Sequence, residues 1–223
     1  MVTMAAAAGA AAWIHLQREI GMKLFYASGA CSLSPHIVAH EAGIPLELQK
    51  VDLKSKTLHT EGDYLAVNPK GYVPALQLDN GQMLTEGPVI VQYLADLKPA
   101  SKLAPAPGSF ERYQLQEMLT YINSELHKTY SPLFNPATPA ETRADRTAYL
   151  LRRYGFIENQ LQGKSYLFGD TFSVADAYLF TVTSWARMVK VDLGQFPNLI
   201  AFQERVAARP GVQAAMRAEG LIK

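Results

Sequence analysis

Residues 22–35 read MKLFYASGACSLSP. Leu24, Phe25 and Tyr26 form a short apolar strand, Ala27 to Leu33 a loop of small residues, and Ser34-Pro35 a helix start, with Ser34 as the expected cap and Pro35 at the first helical position. The only cysteine of the chain, Cys31, lies in that loop. A strand end beside a helix N-terminus gathers backbone N–H groups and partial positive charge, which lowers the pKa of a nearby thiol. The competing reading is a small buried hydrophobe in a tight turn.

The segments around this stretch continue the pattern. The first helix is expected over about 34–42, stopped by Gly43 and Pro45, and residues 46–52 alternate as a strand. Residues 54–62 read as a polar connection and 63–67 as a short helix. Val73-Pro74 opens a strand over 75–78, Asp79-Asn80-Gly81 marks a hairpin, and 83–85 returns. Glu86-Gly87-Pro88 then opens a helix to about Leu97. The order is β-α-β-α-β-β-α, expected as a mixed four-stranded sheet.

The proline-bearing segment 99–108 reads as a linker between a domain at 22–98 and an all-helical one at 109–223. One long helix is expected from Phe110 to about Tyr130, with Leu115, Leu119, Ile122 and Leu126 on an apolar stripe. Thr120, Ser124, His127 and Ser131 form a polar stripe beside it. Another helix is expected over 140–162. Ser173 to Asp176 is a capping-box pattern before an apolar helix, and two shorter helices follow near 197–208 and 211–218. Residues 1–21, rich in alanine, read as a dispensable extension, with an export or organelle signal as the alternative. They are too short an apolar run for a membrane span.

Composition narrows the function. The chain has 223 residues, 48% hydrophobic and 18% charged, with 21 basic against 20 acidic side chains and a net charge of +1. That balance gives no electrostatic case for nucleic acid or an anionic membrane. A single cysteine excludes an internal disulfide and a multi-cysteine zinc site, and suits a reducing compartment. His36 and His40 are four apart, a spacing that could hold a metal on one helix face, but no metal is expected. Cys31-Ser32-Leu33-Ser34 is a C-x-x-S spacing: a single thiol that forms mixed disulfides but has no second cysteine to resolve them. Glu86-Gly87 offers a helix N-terminus to a ligand carboxylate and an acid to a ligand ammonium, although simple capping explains it equally. His127 on its helix reads either as a site residue or as a solvent-facing one.

In combination, MKLFYASGACSLSPH, VDLKSK, AVNPKGYVPAL, LTEGPVIVQYLADL, ELHK and FSVADAYLFTV resemble the beta-class, bacterial cytosolic glutathione transferases over residues 22–221. The resemblance implies a thioredoxin-like N-terminal domain and an all-helical C-terminal one. It implies glutathione as co-substrate, an electrophilic apolar small molecule as the other substrate, a homodimer and a cytoplasmic location. By position, Cys31 and His127 would act at the glutathione sulfur. Lys56, Val73, Glu86, Gly87, Ser124, Glu125 and Leu126 would line the peptide site, with Pro74 cis after Val73, and the apolar substrate would lie near His127 and Tyr130. Thr120 stands where a relative has an asparagine reaching across the dimer, and Tyr72 where it has glutamine. Tyr26 sits where other classes place a catalytic tyrosine. Three functions remain open: conjugating transferase, thiol–disulfide oxidoreductase or peroxidase through Cys31, and non-catalytic carrier of apolar ligands.

Overall fold

The structure, a computed structural model, describes residues 21–223; the N-terminal extension expected from the sequence lies, but for Gly21, outside the described residues. Strand β1 (Lys23–Tyr26) is the centre of the sheet. It pairs in parallel with β2 (Glu47–Asp52) and antiparallel with β4 (Ala75–Gln77), which pairs antiparallel with β5 (Met83–Thr85). Helix α1 (Leu33–Ala42) makes the crossover that a parallel pair requires. Period-two alternation splits β1 between two cores: Leu24 and Tyr26 face the main one, while Phe25 faces a small cluster with Val51, Tyr64, Val73 and Ala75.

Among the described residues the sheet has five strands in the order β3 (Thr57–Leu58), β2, β1, β4, β5, one more than expected. The addition is β3, inside the segment read as a polar connection. Asp52 turns the chain by accepting from the N–H groups of Lys54 and Ser55 at 2.8 and 3.0 Å, and Val51 then pairs with Leu58. Two residues are too few to show a period. Helix α2 (Tyr64–Val67) is capped by Asp63, which accepts from Leu65 N–H.

The cap of α1 also differs from expectation. Ser32, not Ser34, holds the cap position, and its hydroxyl folds back on Ala27. The Ser34 hydroxyl donates to the Cys31 carbonyl at 2.8 Å. Pro35 is therefore the third helical residue, where its missing N–H is still one of the unpaired first four.

Helix α3 (Gly87–Leu97) starts where Glu86-Gly87-Pro88 indicates and packs beside α1. The expected single helix from Phe110 is three segments: α4 (Phe110–Tyr121), a π-helical turn at Ile122–His127, and α5 (Lys128–Phe134). Lys128 N–H reaches back five residues to the Asn123 carbonyl, the π pattern. The stripe of Leu115, Leu119, Ile122 and Leu126 is buried throughout.

Helix α6 (Ala140–Leu161) flanks α5, and α7 (Val174–Met188) runs through the middle of the helical part, buried on nearly every side. Helices α8 (Pro197–Ala207) and α9 (Pro210–Ala218) close the chain, and α9 returns onto α1. The capping box is formed: Asp176 Oδ2 accepts from the Ser173 N–H at 2.8 Å and hydroxyl at 2.7 Å, and Oδ1 accepts from Leu167 N–H at 2.9 Å. The two halves are tied by Arg112, whose guanidinium grips both oxygens of Asp96 at 2.9 and 2.5 Å. No helix among the described residues is long and apolar enough to cross a membrane.

Candidate active site

The loop after β1 is held from the helical side. Trp185 Nε1 donates to the Gly29 carbonyl at 2.8 Å, and the Gly29 N–H donates to Glu219 Oε2 at 2.9 Å. Gly29 has φ +70, and a Cβ there would lie 3.3 Å from Leu221, so glycine suits the position both conformationally and sterically. This fixes Cys31, whose Sγ donates to the Val73 carbonyl at 3.0 Å. Val73 precedes a cis proline, Pro74.

The sulfur is not the lowered-pKa thiol that its place before a helix suggests. Desolvation pushes the Cys31 thiol up to about 12; the Cys31 and Ser32 N–H groups oppose this, and the Glu86 and Glu219 carboxylates reinforce it. Charge from the helix end is outweighed because no cation stands beside the half-buried sulfur to offset its desolvation.

Cys31 lies at the seam of two adjoining cavities. The first, about 220 Å³, is polar and runs between the halves of the molecule. Its walls carry Val73, Pro74, Glu86 and Gly87 from the first half, with Asn123, His127 and Tyr178 from the helices. The second, about 260 Å³, is apolar and is shaped by Phe134, Trp185 and Met188. Cys31, His127 and Ser131 line both. A larger groove of about 760 Å³ beside Lys102, Glu111 and Phe168 shares no residue with either.

Glu86 is at φ +71 and ψ 112, a backbone state that non-glycine residues rarely adopt. The strain turns its side chain to the cavity rim, where Lys70 Nζ donates to Oε1 at 2.9 Å and to Thr85 Oγ1 at 2.9 Å. Asn68 and Lys70 read in the sequence as part of a turn and not as site residues. Their signal was the Asn68-Pro69-Lys70-Gly71 turn, in which Asn68 Oδ1 accepts from Lys70 N–H and Asn68 Nδ2 donates to the Tyr72 carbonyl.

His127 stands between aromatic rings. Its Nδ1 lies 2.6 Å from the Tyr178 hydroxyl, which donates to Asn123 Oδ1 at 3.0 Å, and the Trp185 ring meets it edge-on at 4.9 Å. Desolvation lowers its pKa to about 4; Lys128 adds to this and Glu86 opposes it. The imidazole is therefore neutral at ordinary pH. Tyr178, Asn123, Trp185 and Phe134 were missed as site residues. The available signal was a tyrosine within the apolar run of α7, since a buried hydroxyl needs a partner.

Several expected site residues lie off the cavity walls. Lys56 Nζ donates to the Gly71 carbonyl at 2.7 Å. Thr120 is exposed and donates to the Gln116 carbonyl, Ser124 is exposed, Glu125 pairs with Arg153 at 2.7 Å, and Leu126 is fully buried. Tyr130, expected near the apolar substrate, is buried beneath the site with its hydroxyl 2.8 Å from that of Tyr154. Among the described residues no group of three metal-binding side chains is assembled.

Comparison with known proteins agrees with this architecture. A family profile described as the glutathione S-transferase N-terminal domain matches residues 29–97, and one for the C-terminal domain matches 121–210. The chain is 48% identical to "Glutathione S-transferase GstA" of Escherichia coli O157:H7, over 90% of this chain and all of that one. It is similar to the solved structure of a ternary complex of BphK, a bacterial GST (57% identity, TM-score 0.88, covering 89% of this chain and 100% of that one). A sphingomonad glutathione S-transferase complexed with glutathione gives 45% and 0.86, and the bacterial beta-class enzyme of Sphingomonas chungbukensis 44% and 0.87, each covering 90% of this chain and 100% of its own.

Proposed function

The chain belongs to the glutathione S-transferase family, and from that premise we propose how its two cavities divide the work. It is a transferase that conjugates the glutathione thiolate to electrophilic carbon in apolar small molecules. The carrying observation is that Cys31 and His127 stand where a polar cavity meets an apolar one. Glutathione takes the polar cavity. Its γ-glutamyl carboxylate suits the N-terminus of α3 at Gly87, and its ammonium suits Glu86. Its cysteinyl backbone suits the Val73 main chain beside the cis peptide, and its sulfur then comes toward Cys31 and His127. The electrophile lies against Phe134, Trp185 and Met188.

Thiol activation alone is a weak lever. A thiol of pKa 8.5 is about 3% ionised at pH 7, and lowering it by two units raises that about 25-fold. A Brønsted slope near 0.45 returns about 8-fold of this as lost nucleophilicity, leaving about threefold. Holding two reactants together has far more to offer. On this reading the residues that fix the peptide matter to rate as much as those at the sulfur.

Lys56 fits the reading if its ammonium exchanges the Gly71 carbonyl for a peptide carboxylate. Thr120 and Ser124, exposed and off the cavity, fit it as contacts made across a homodimer. Exposed Tyr72, Phe110 and Tyr113 support such an assembly. The lone cysteine suits a cytoplasmic location.

The test compares wild type with Cys31→Ala in two assays, conjugation of glutathione to an aryl halide and glutathione-dependent reduction of a mixed disulfide. Conjugation that survives the substitution supports the transferase with Cys31 as a binding residue. Disulfide reduction alone, abolished in the variant, would overturn it in favour of thiol–disulfide chemistry. Glutathione binding with neither activity would leave a carrier.

A further inference from the structure

The environment of His127 specifies more than a nearby base. Tyr178 has one hydroxyl proton and gives it to Asn123 Oδ1 at 3.0 Å. An amide oxygen can only accept. The 2.6 Å contact between the Tyr178 oxygen and His127 Nδ1 must then be filled by a proton on Nδ1. In a neutral imidazole that leaves Nε2 with a free lone pair. Nε2 makes no hydrogen bond among the described residues, and its ring lines both cavities.

The fold holds this arrangement from three sides. The π turn carries both Asn123 and His127, and both reach the same hydroxyl on α7. Tyr178 is fully buried in that helix, and Trp185, two turns further along it, closes edge-on over the imidazole. The ring is thus restrained against the flip that would put Cδ2 in place of Nδ1 and Cε1 in place of Nε2.

We propose that Asn123 and Tyr178 are positioning residues that set His127 as the Nδ1–H tautomer and reserve Nε2 for the glutathione thiol proton. As the carbon–sulfur bond forms, the S–H proton passes to Nε2, and the leaving group departs with the electron pair of the bond it breaks. The imidazolium then returns the proton to solvent. The assignment rests on the transferase reading for its consequence, but not for its geometry.

The tautomer is therefore measured first, without turnover. In ¹⁵N-histidine-labelled protein the five histidines give separate ring signals, and the one absent from His127→Ala belongs to His127. Its Nδ1 is expected to carry the proton in wild type and in Asn123→Asp, whose carboxylate still accepts. In Asn123→Ala and Tyr178→Phe the two tautomers should mix. Protonated Nε2 in the wild type overturns the proposal, whether or not the protein conjugates anything. For conjugation, Tyr178→Phe should lower kcat about tenfold, the worth of one hydrogen bond, with KM for glutathione unchanged. In a His127→Ala background it should cost nothing further. Equal losses in both backgrounds would mean that Tyr178 acts only through the structure of α7, and would overturn the proposal.

Discussion

Cys31 Sγ donates to the Val73 carbonyl at 3.0 Å, which ties the only thiol of the chain to the residue preceding the cis peptide bond. A donor is a protonated thiol, and desolvation holds the Cys31 pKa near 12. At pH 8 such a thiol is ionised to about one part in ten thousand. Alkylation of the ligand-free protein by iodoacetamide should accordingly be far slower than that of a free cysteine, and still rising at pH 10. Rapid labelling with a midpoint below pH 8 would refute this. Because one hydrogen bond is at issue, conjugation by Cys31→Ala should stay within about tenfold of wild type.

His127 makes stability depend on pH in a defined direction. Its folded pKa is about 4, against about 6.5 unfolded. The depressed value means that the unfolded chain binds the proton more readily. The stabilisation is present above pH 6.5 and is lost as pH falls toward 4, by about 3 kcal/mol. Asp176 runs the other way: desolvation raises its pKa to about 6, so its contribution is greatest below about pH 4 and is lost as pH rises through 6. Removing the histidine takes away its share of the loss and leaves the Asp176 trend in place. His127→Asn should lose less stability than wild type between pH 6.5 and 4.5, measured by urea unfolding at each pH. Parallel losses in the two proteins would contradict the account.

These pairs also show what the sequence could carry. The alternation of Leu24, Phe25 and Tyr26, the Asp79-Asn80-Gly81 turn and the Ser173–Asp176 box are local patterns, and each was legible because its partners are near in the chain. The small strand at Thr57–Leu58 was not, since pairing to Val51 and Asp52 defines it and two residues have no period. The cap at Ser32 in place of Ser34 depends on Ala27, across the loop. The π turn leaves the apolar stripe intact, so periodicity alone reads an unbroken helix. Cys31 stood out by its place between a strand and a helix start and His127 by its place on a polar helix stripe, and the family resemblance supplied the roles expected of them. Tyr178 was not legible, because its role exists only once α7 lies against Asn123 and His127.

The capping box should carry a large share of the stability of the helical half. Asp176 is fully buried and accepts three hydrogen bonds, two from Ser173 and one from Leu167. Asp176→Ala leaves those donors without an acceptor and should cost about 3–5 kcal/mol. Ser173→Ala keeps the backbone bond and should cost about 1 kcal/mol. Urea unfolding of both variants checks the ranking, and an equal cost would show that the carboxylate, beyond its bond to the serine hydroxyl, adds little.

Glu219 links the C-terminal end of the fold to the site loop. One carboxylate oxygen accepts from Gly29 N–H at 2.9 Å, and the other lies 3.0 Å from His36 Nδ1 on α1. Both side chains are buried. Glu219→Ala strands two donors in the interior and should destabilise by about 3–5 kcal/mol. It also frees one of the two ties on Gly29, leaving Trp185 as the helical half's remaining hydrogen bond to that residue. KM for glutathione and KM for the aryl halide should therefore both rise, because the loop meets the polar cavity through Cys31 and the apolar one through Gly29, Ala30 and Cys31. Glu219→Gln retains an oxygen for Gly29 N–H and should largely restore glutathione KM even where it fails to restore stability. If the two variants raised KM equally, the loop would be held by something other than this hydrogen bond.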